Sequence, residues 1–302
     1  MKITVLMPVY NGANYIREAI DSILSQTFSD FEFLIINDGS TDQSESIIRS
    51  CRDDRIRLVH SEENRGLIFT LNSGLAMAKG EYIARMDQDD ISMPDRLQKQ
   101  FNFLEENSNI ALVGGWAEII DTHGEKIGTY KMPVGYDEIK FELLFRNPLI
   151  HGTIFFRKNI VAELGGYNEN NEHAEDYGLY STMIKDYQIV NLPEFLMKYR
   201  IHDHSIGQAP KTKSIQNETV RKIMFHNINL YLRINWNNFT RYYDAAHTRN
   251  LTLRGFFKSL CTTRNIYKSF IKKEHLNKEQ VKKIHRMYAT KNRTIMKAFF
   301  RR

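Results

Sequence analysis

"FEFLIINDGSTD", residues 31–42, decides the fold. Five of its first six residues are apolar, and the run is closed by turn residues, so it reads as a strand over 31–37. Asp38-Gly39 turns the chain, and Ser40 or Thr41 is placed to cap the helix that follows. Upstream, "KITVLMPVY" (2–10) is a second buried strand, ending near Tyr10. Between the two, Asn14 to Gln26 sets Ile16, Ala19, Ile20, Ile23 and Leu24 at helical spacing. Downstream, "RIRLVH" (55–60) is a strand and "LIFTLNSGLAMAKG" (67–80) a helix stopped by Gly80. "EYIARMD" (81–87) is a fourth strand. Strands and helices in alternation predict a Rossmann-like α/β fold with a mostly parallel sheet and right-handed crossovers.

In such sheets ligands bind beyond the carboxyl ends of the strands. Three polar clusters fall on those ends: Tyr10-Asn11, Asp38, and Asp87-Gln88-Asp89-Asp90. Three carboxylates in four positions repel one another unless something neutralises them. Two readings stay open, a hydrated acidic turn and a divalent cation. If the segment is extended, Asp87 and Asp89 point the same way and converge on one target. Carboxylate oxygens suit Mg²⁺ or Mn²⁺. The glycine and closing glutamate of an EF-hand are missing, and so is a Walker-type phosphate loop. A phosphate held here would therefore be carried by the metal.

The composition, 42% hydrophobic and 12% aromatic, supports a sizeable core. Two cysteines, Cys51 and Cys261, make no disulfide framework and suit a reducing compartment. No apolar run reaches 18 residues, and Pro8 breaks the N-terminal stretch, so neither a membrane span nor a signal peptide is expected. The net charge of +6 hides an asymmetry. Residues 211–302 hold 22 Lys and Arg against 4 Asp and Glu, a balance of +18; residues 1–210 hold 20 against 32, a balance of −12. A catalytic part, 1–210, and a basic helical part, 211–302, are expected, with the boundary near "IGQAPKTKS" (206–214).

The ordered series "MPVYNGANYIREAIDSILSQTFSDFEFLIINDGSTDQS", "NRGLIFTLNSGLAMAKGEYIARMDQDD", "HGTIFFRK", "AEDYGLYSTMIKDY" and "YRIHDHSIG" closely resembles family 2 glycosyltransferases, over roughly residues 1–207. That resemblance implies the A-type nucleotide-sugar fold and an inverting transfer from a nucleotide-diphosphate sugar, with uridine as the suggested base. Pro8, Tyr10 and Asp38 would hold the base, with Asn64, Arg65 and Gly66 alongside the nucleotide. Asp87 would hold ribose, Asp89 the metal, and His202 the metal or the diphosphate. Asp176 would be the general base, with Glu175 a secondary contact. A weak hydroxyl nucleophile needs such a carboxylate to take its proton. Read from the residues alone, Glu175-Asp176 is equally an acidic first turn favoured by the helix dipole.

His151-Gly152-Thr153 lines the acceptor side in one reading and leads into a strand in the other. His60, His123 and His173 read as surface or turn residues, Trp116 as core or pocket wall, and Cys51 as inert. In the tail, "NKEQVKKIHRMYATKNRTIMKAFF" places Val281, Ile284, Tyr288, Ile295 and Phe299 on one helical face, and Asn277 with Gln280 forms a capping box. A packed appendage and attachment to an anionic membrane both suit this basic amphipathic pattern. In the second reading Phe256, Phe257, Phe299 and Phe300 are the residues that would enter lipid. No recognition motif supports nucleic-acid binding. The expected role is a hexosyl- or N-acetylhexosaminyltransferase of polysaccharide biosynthesis. It would use Mn²⁺ or Mg²⁺ and a glycan or lipid-linked acceptor, in the cytoplasm or peripheral at the inner face of the membrane. Competing readings are a sugar-phosphate nucleotidyltransferase, against which "PVYNGANY" lacks a Gly- and Arg-rich phosphate loop, and a non-catalytic binding protein of the same fold.

Overall fold

The computed structural model describes residues 1–202, 210–247 and 252–300. The "DHSIG" end of the last family motif and the first half of the expected boundary lie outside them. The chain forms strands β1 (Ile3–Val9), β2 (Phe31–Asp38), β3 (Ile56–Ser61), β4 (Tyr82–Arg85), β5 (Ile91–Ser92), β6 (Ile110–Ile120), β7 (Lys126–Tyr130), β8 (Phe155–Arg157) and β9 (Gln188–Arg200). Its first seven helices are α1 (Ile16–Leu24), α2 (Ser44–Ser50), α3 (Leu67–Met77), α4 (Arg96–Glu106), α5 (Tyr136–Glu142), α6 (Lys158–Glu163) and α7 (Glu175–Met183). Four more follow: α8 (Pro210–Asn229), α9 (Trp236–His247), α10 (Leu253–Glu274) and α11 (Lys278–Phe300).

One sheet runs β3-β2-β1-β4-β8-β6-β9-β5, with β7 on β6. Its first four strands are parallel, as the alternation predicts. β8 runs against both β4 and β6, so short antiparallel pairs join the parallel half-sheet to the rest. Every residue of β1 and β2 is buried, which follows from helices covering both faces of a parallel sheet. α1 buries Ile16, Ala19, Ile20 and Ile23, one helical stripe, against this core.

The cap expected on α2 is built differently. Neither Ser40 nor Thr41 caps it; the Asp42 carboxylate accepts the Ser44 N–H at 2.9 Å. Ser40 and Thr41 instead bind Asn11, whose backbone is left-handed (φ 49°). Ser40 Oγ accepts the Asn11 N–H at 2.9 Å, and Asn11 Oδ1 accepts the Thr41 N–H at 2.8 Å. A short polar side chain tolerates that conformation and ties the β1 and β2 ends together.

The chain divides into two compact units. One is Met1–Val134 with Asn147–Gln216; the other is Gly135–Arg146 with Asn217–Arg302. The expected division at 210 therefore differs from the observed one, because α5 is spliced out of the catalytic part. Its ionic groups pair within the second unit: Lys140 with Glu274 at 2.6 Å, and Glu142 with Lys291 at 2.6 Å. There α10 and α11 share a cluster in which Phe256 stacks on Phe299 at 4.4 Å and packs with Ile295. The Asn277–Gln280 capping box is present, with reciprocal bonds of 2.8 and 3.0 Å.

Candidate active site

The carboxyl ends of β1, β2 and β4 are fastened to one another by side chains. The Tyr10 N–H donates to Gln88 Oε1 at 2.9 Å, and Gln88 Nε2 donates to the Tyr10 carbonyl at 3.0 Å. Asp38, 3% exposed, accepts the N–H groups of Arg65 at 3.0 Å and Gly66 at 2.9 Å. Asp38 thus holds the loop that opens α3 rather than presenting a free carboxylate. Gly66 needs its freedom: its φ is +89° at the helix start. Tyr10 is exposed, and Pro8 is buried inside β1 opposite Ile36.

Asp87 and Asp89 do not converge. The strand ends at Arg85 and the chain turns at Gln88–Asp89, so the two-residue repeat of an extended segment does not apply. Asp87 pairs with Arg85. Asp89 faces His202, with Oδ2 2.8 Å from Nε2. Asp90 is buried; desolvation and the charge of Asp89 push its carboxyl up to about 8. Arg200, 2% exposed and not singled out by the sequence reading, organises this corner. It donates through Nε to the Asp89 carbonyl, through its backbone N–H to Asp90 Oδ1 (both 2.9 Å), and pairs with Glu18. It precedes His202 by two in "YRIH", which was the available signal.

A cavity of about 750 Å³ lies within the first unit. The loop Asn64-Arg65-Gly66 lines it together with Arg85, Glu175 and Asp176. Asp176 Oδ2 accepts from Asn147 Nδ2 at 2.7 Å, and its Oδ1 from the Tyr177 N–H at 2.6 Å. Burial raises the Asp176 carboxyl above its ordinary range. Burial, then the adjacent Asp176 charge, pushes Glu175 up to about 7. His151 sits behind them, its Nε2 3.0 Å from the Tyr167 hydroxyl and its Nδ1 4.0 Å from Glu175. Burial and the Arg85 charge lower its pKa well below the histidine value, which keeps the ring neutral.

The structure thus gathers Asn64, Arg65, Gly66, Glu175 and Asp176 around one cavity. It links Asp87 to that cavity through Arg85, and sets Asp38 behind the loop. Pro8, Tyr10, Asp89, His151 and His202 are not in the lining. The donor atoms decide whether a metal fits. Two cis ligands of an octahedral ion with bonds of about 2.1 Å lie about 3 Å apart. Asp89 Oδ2 and His202 Nε2 lie 2.8 Å apart in direct hydrogen-bond contact, and their donor types suit Mn²⁺. Among the described residues no group of three or more His, Cys, Asp or Glu is arranged to hold a metal.

A parallel half-sheet with acidic strand ends above a nucleotide-sized cavity defines a class of enzyme, and comparison places the chain within it. The family model of Glycosyl transferase family 2 matches residues 4–165. A Haemophilus influenzae protein described as an uncharacterized glycosyltransferase is 36% identical over 241 residues, spanning 76% of this chain and 74% of its own length. The O-antigen biosynthesis glycosyltransferase WbnJ of Escherichia coli is 35% identical over 215 residues, spanning 68% and 82%. Among solved structures, S. aureus TarS 1-349 in complex with UDP-GlcNAc superposes with a TM-score of 0.62 at 16% identity, covering 99% of this chain and 91% of that one. The Pyrobaculum calidifontis mannosyltransferase PcManGT, in complex with GDP-Man and Mn²⁺, gives 0.57 at 15%, covering 98% and 85%. These two share the fold. The chain belongs to glycosyl transferase family 2 and is a glycosyltransferase.

Proposed function

We propose that the protein transfers a hexosyl or N-acetylhexosaminyl group, with inversion, from a UDP-sugar to a glycan or lipid-linked acceptor in polysaccharide biosynthesis. The observation that carries this is the cavity with the Asn64-Arg65-Gly66 loop on its lining and the desolvated Glu175–Asp176 pair beside it. The loop provides the nucleotide side, with Tyr10, Pro8 and Asp38 at the strand ends and Asp87 toward the ribose. Asp176 takes the acceptor proton; the Asn147 amide fixes its Oδ2. Glu175 and His151 border the acceptor side.

Asp89 and His202 would hold Mn²⁺ or Mg²⁺. Such an ion, when bound, neutralises charge developing on the departing diphosphate. A lipid-linked acceptor suits the +18 balance of residues 211–302. No helix among the described residues is long and apolar enough to cross a membrane. The proposed place is the cytoplasmic membrane surface, with the basic C-terminal helices holding the enzyme there while the first unit carries catalysis, and with no nucleic-acid partner. Of the aromatic residues expected to enter lipid, Phe256 is only 7% exposed and so packs inward, whereas Phe257 is 57% exposed. Leu253 beside it is 62% exposed. The side chain of Phe300 lies outside the described residues.

Calorimetry with a panel of UDP-, GDP- and dTDP-sugars, with Mn²⁺ and with chelator, tests the donor assignment. Binding of a UDP-sugar and metal-dependent release of UDP are expected. Selective binding of another nucleotide class would overturn it.

A further inference from the structure

The cavity contains a cation that the proposed mechanism leaves unused. Arg85 ends β4, is only 4% exposed, and lines the cavity beside Glu175 and Asp176. It pairs with Asp87, and its Nε is buried without a hydrogen-bond partner among the described residues. A buried donor left unsatisfied is costly. Packing alone gives no reason to accept that cost, since an apolar side chain would fill the strand end without it.

Its surroundings supply a reason. Asp87 and Asp90 come from the loop after β4, Glu175, Asp176 and Tyr180 from α7, and Tyr199 from β9. His151 and Tyr167 complete the set, and Arg96 on α4 donates to the Arg85 carbonyl at 2.7 Å. Four carboxyl groups thus feel the same guanidinium. Among the described residues, Arg85 is a cation whose charge opposes the burial of both Glu175 and Asp176. A carboxyl that keeps its proton cannot accept another, so a largely buried acidic pair needs such a counter-charge to work as a base.

We infer that Arg85 is a positioning residue for transfer, tying Asp87 on the donor side to the Glu175–Asp176 carboxylates on the base side through one buried cation, and so fixing both the place and the charge of the base. The inference deepens the assignment of Asp176 and rests on it. The site becomes a single ionic unit, in which donor binding at Asp87 and proton acceptance at Asp176 share one partner.

The test measures UDP release from the UDP-sugar that supports turnover, between about pH 5.5 and 9. It compares wild type, Arg85→Gln, Arg85→Lys and Asp176→Asn, with UDP affinity and melting temperature taken on the same preparations. An opposite charge within about 4–6 Å typically shifts a carboxyl by about 1–3 pH units. Arg85→Gln should move the acid limb of the rate profile up by about one unit or more and lower the rate at pH 7 about tenfold. Arg85→Lys should return the limb to its wild-type position even where the melting temperature stays lowered. A purely structural arginine would change melting temperature and KM and leave the limb in place; an unmoved limb in the glutamine variant, or no return with lysine, overturns the inference. If the glutamine variant does not fold, Arg85→Met, a neutral side chain of similar length, takes its place: a raised limb supports the inference and an unmoved one overturns it. Inactive Asp176→Asn beside an unmoved Arg85→Gln limb rejects only the role of Arg85. Wild-type turnover by Asp176→Asn rejects the base assignment, and the inference with it.

Discussion

Removing the Asp38 carboxylate separates two jobs that this residue can do. It accepts two backbone N–H groups, from Arg65 at 3.0 Å and Gly66 at 2.9 Å, while 3% exposed. Hydrogen bonds to a charged group contribute about 1.5–3 kcal/mol each. In Asp38→Ala the Gly66 N–H keeps a partner, Asn64 Oδ1 at 3.0 Å, but the Arg65 N–H keeps none among the described residues. The expected loss is about 2–4 kcal/mol, counting one bond fully and the other in part. For a unit of this size each kcal/mol is worth about 2–4 °C, so its transition should fall by roughly 5–12 °C in calorimetry. UDP affinity should fall with it, since the released loop lines the cavity. Gly39→Ala is the companion variant: φ is +70°, and an added Cβ would lie 2.5 Å from the Glu63 carbonyl carbon, so the same loop is pushed off its seat. Unchanged melting with lost UDP affinity in Asp38→Ala would refute the anchoring argument and make Asp38 a direct ligand contact only.

Chelation should abolish turnover and weaken diphosphate binding, and His202→Ala should raise the Mn²⁺ concentration needed at least tenfold; equal UDP affinity with and without chelator, by calorimetry, would dismiss the metal site. Because Asp176 works ionised and burial raises its carboxyl, beside a Glu175 pushed up to about 7, the rate should climb with pH from the acid side and then level off; a rate flat from about pH 5.5 to 8 would contradict this. The full chain should sediment with anionic vesicles at low salt and detach as salt rises, since each basic residue near such a surface contributes about 1 kcal/mol. Phe257→Ala should reduce whatever binding resists salt, and failure of the full chain to bind anionic vesicles at low salt would dismiss the membrane reading.

The strands and helices of the first half were legible because their signals are local. Continuous apolar runs gave β1, β2 and β4, and a 3.6-residue stripe gave α1. The strand-end clusters followed from topology. What could not be read was the pairing of charges across distance. Nothing local says that Arg200 reaches back to Glu18, or to Asp90 from 110 residues beyond it. The turn after Arg85 was missed because an apolar strand followed by acids does not reveal where extension stops. The α5 segment looked like part of the catalytic body; its ionic partners, Glu274 and Lys291, lie more than 130 positions away.

The most direct measurement is paired transfer and binding by Asp176→Asn. The amide keeps the shape and, through its oxygen, the Asn147 hydrogen bond at Oδ2, but it cannot accept the acceptor's proton. Loss of a general base lowers the rate about 10²–10⁴-fold. UDP affinity by calorimetry should stay within about threefold of wild type, because Asp176 serves the nucleophile rather than the nucleotide. Transfer near the wild-type rate with intact UDP binding would place the base elsewhere and contradict the reading of this cavity.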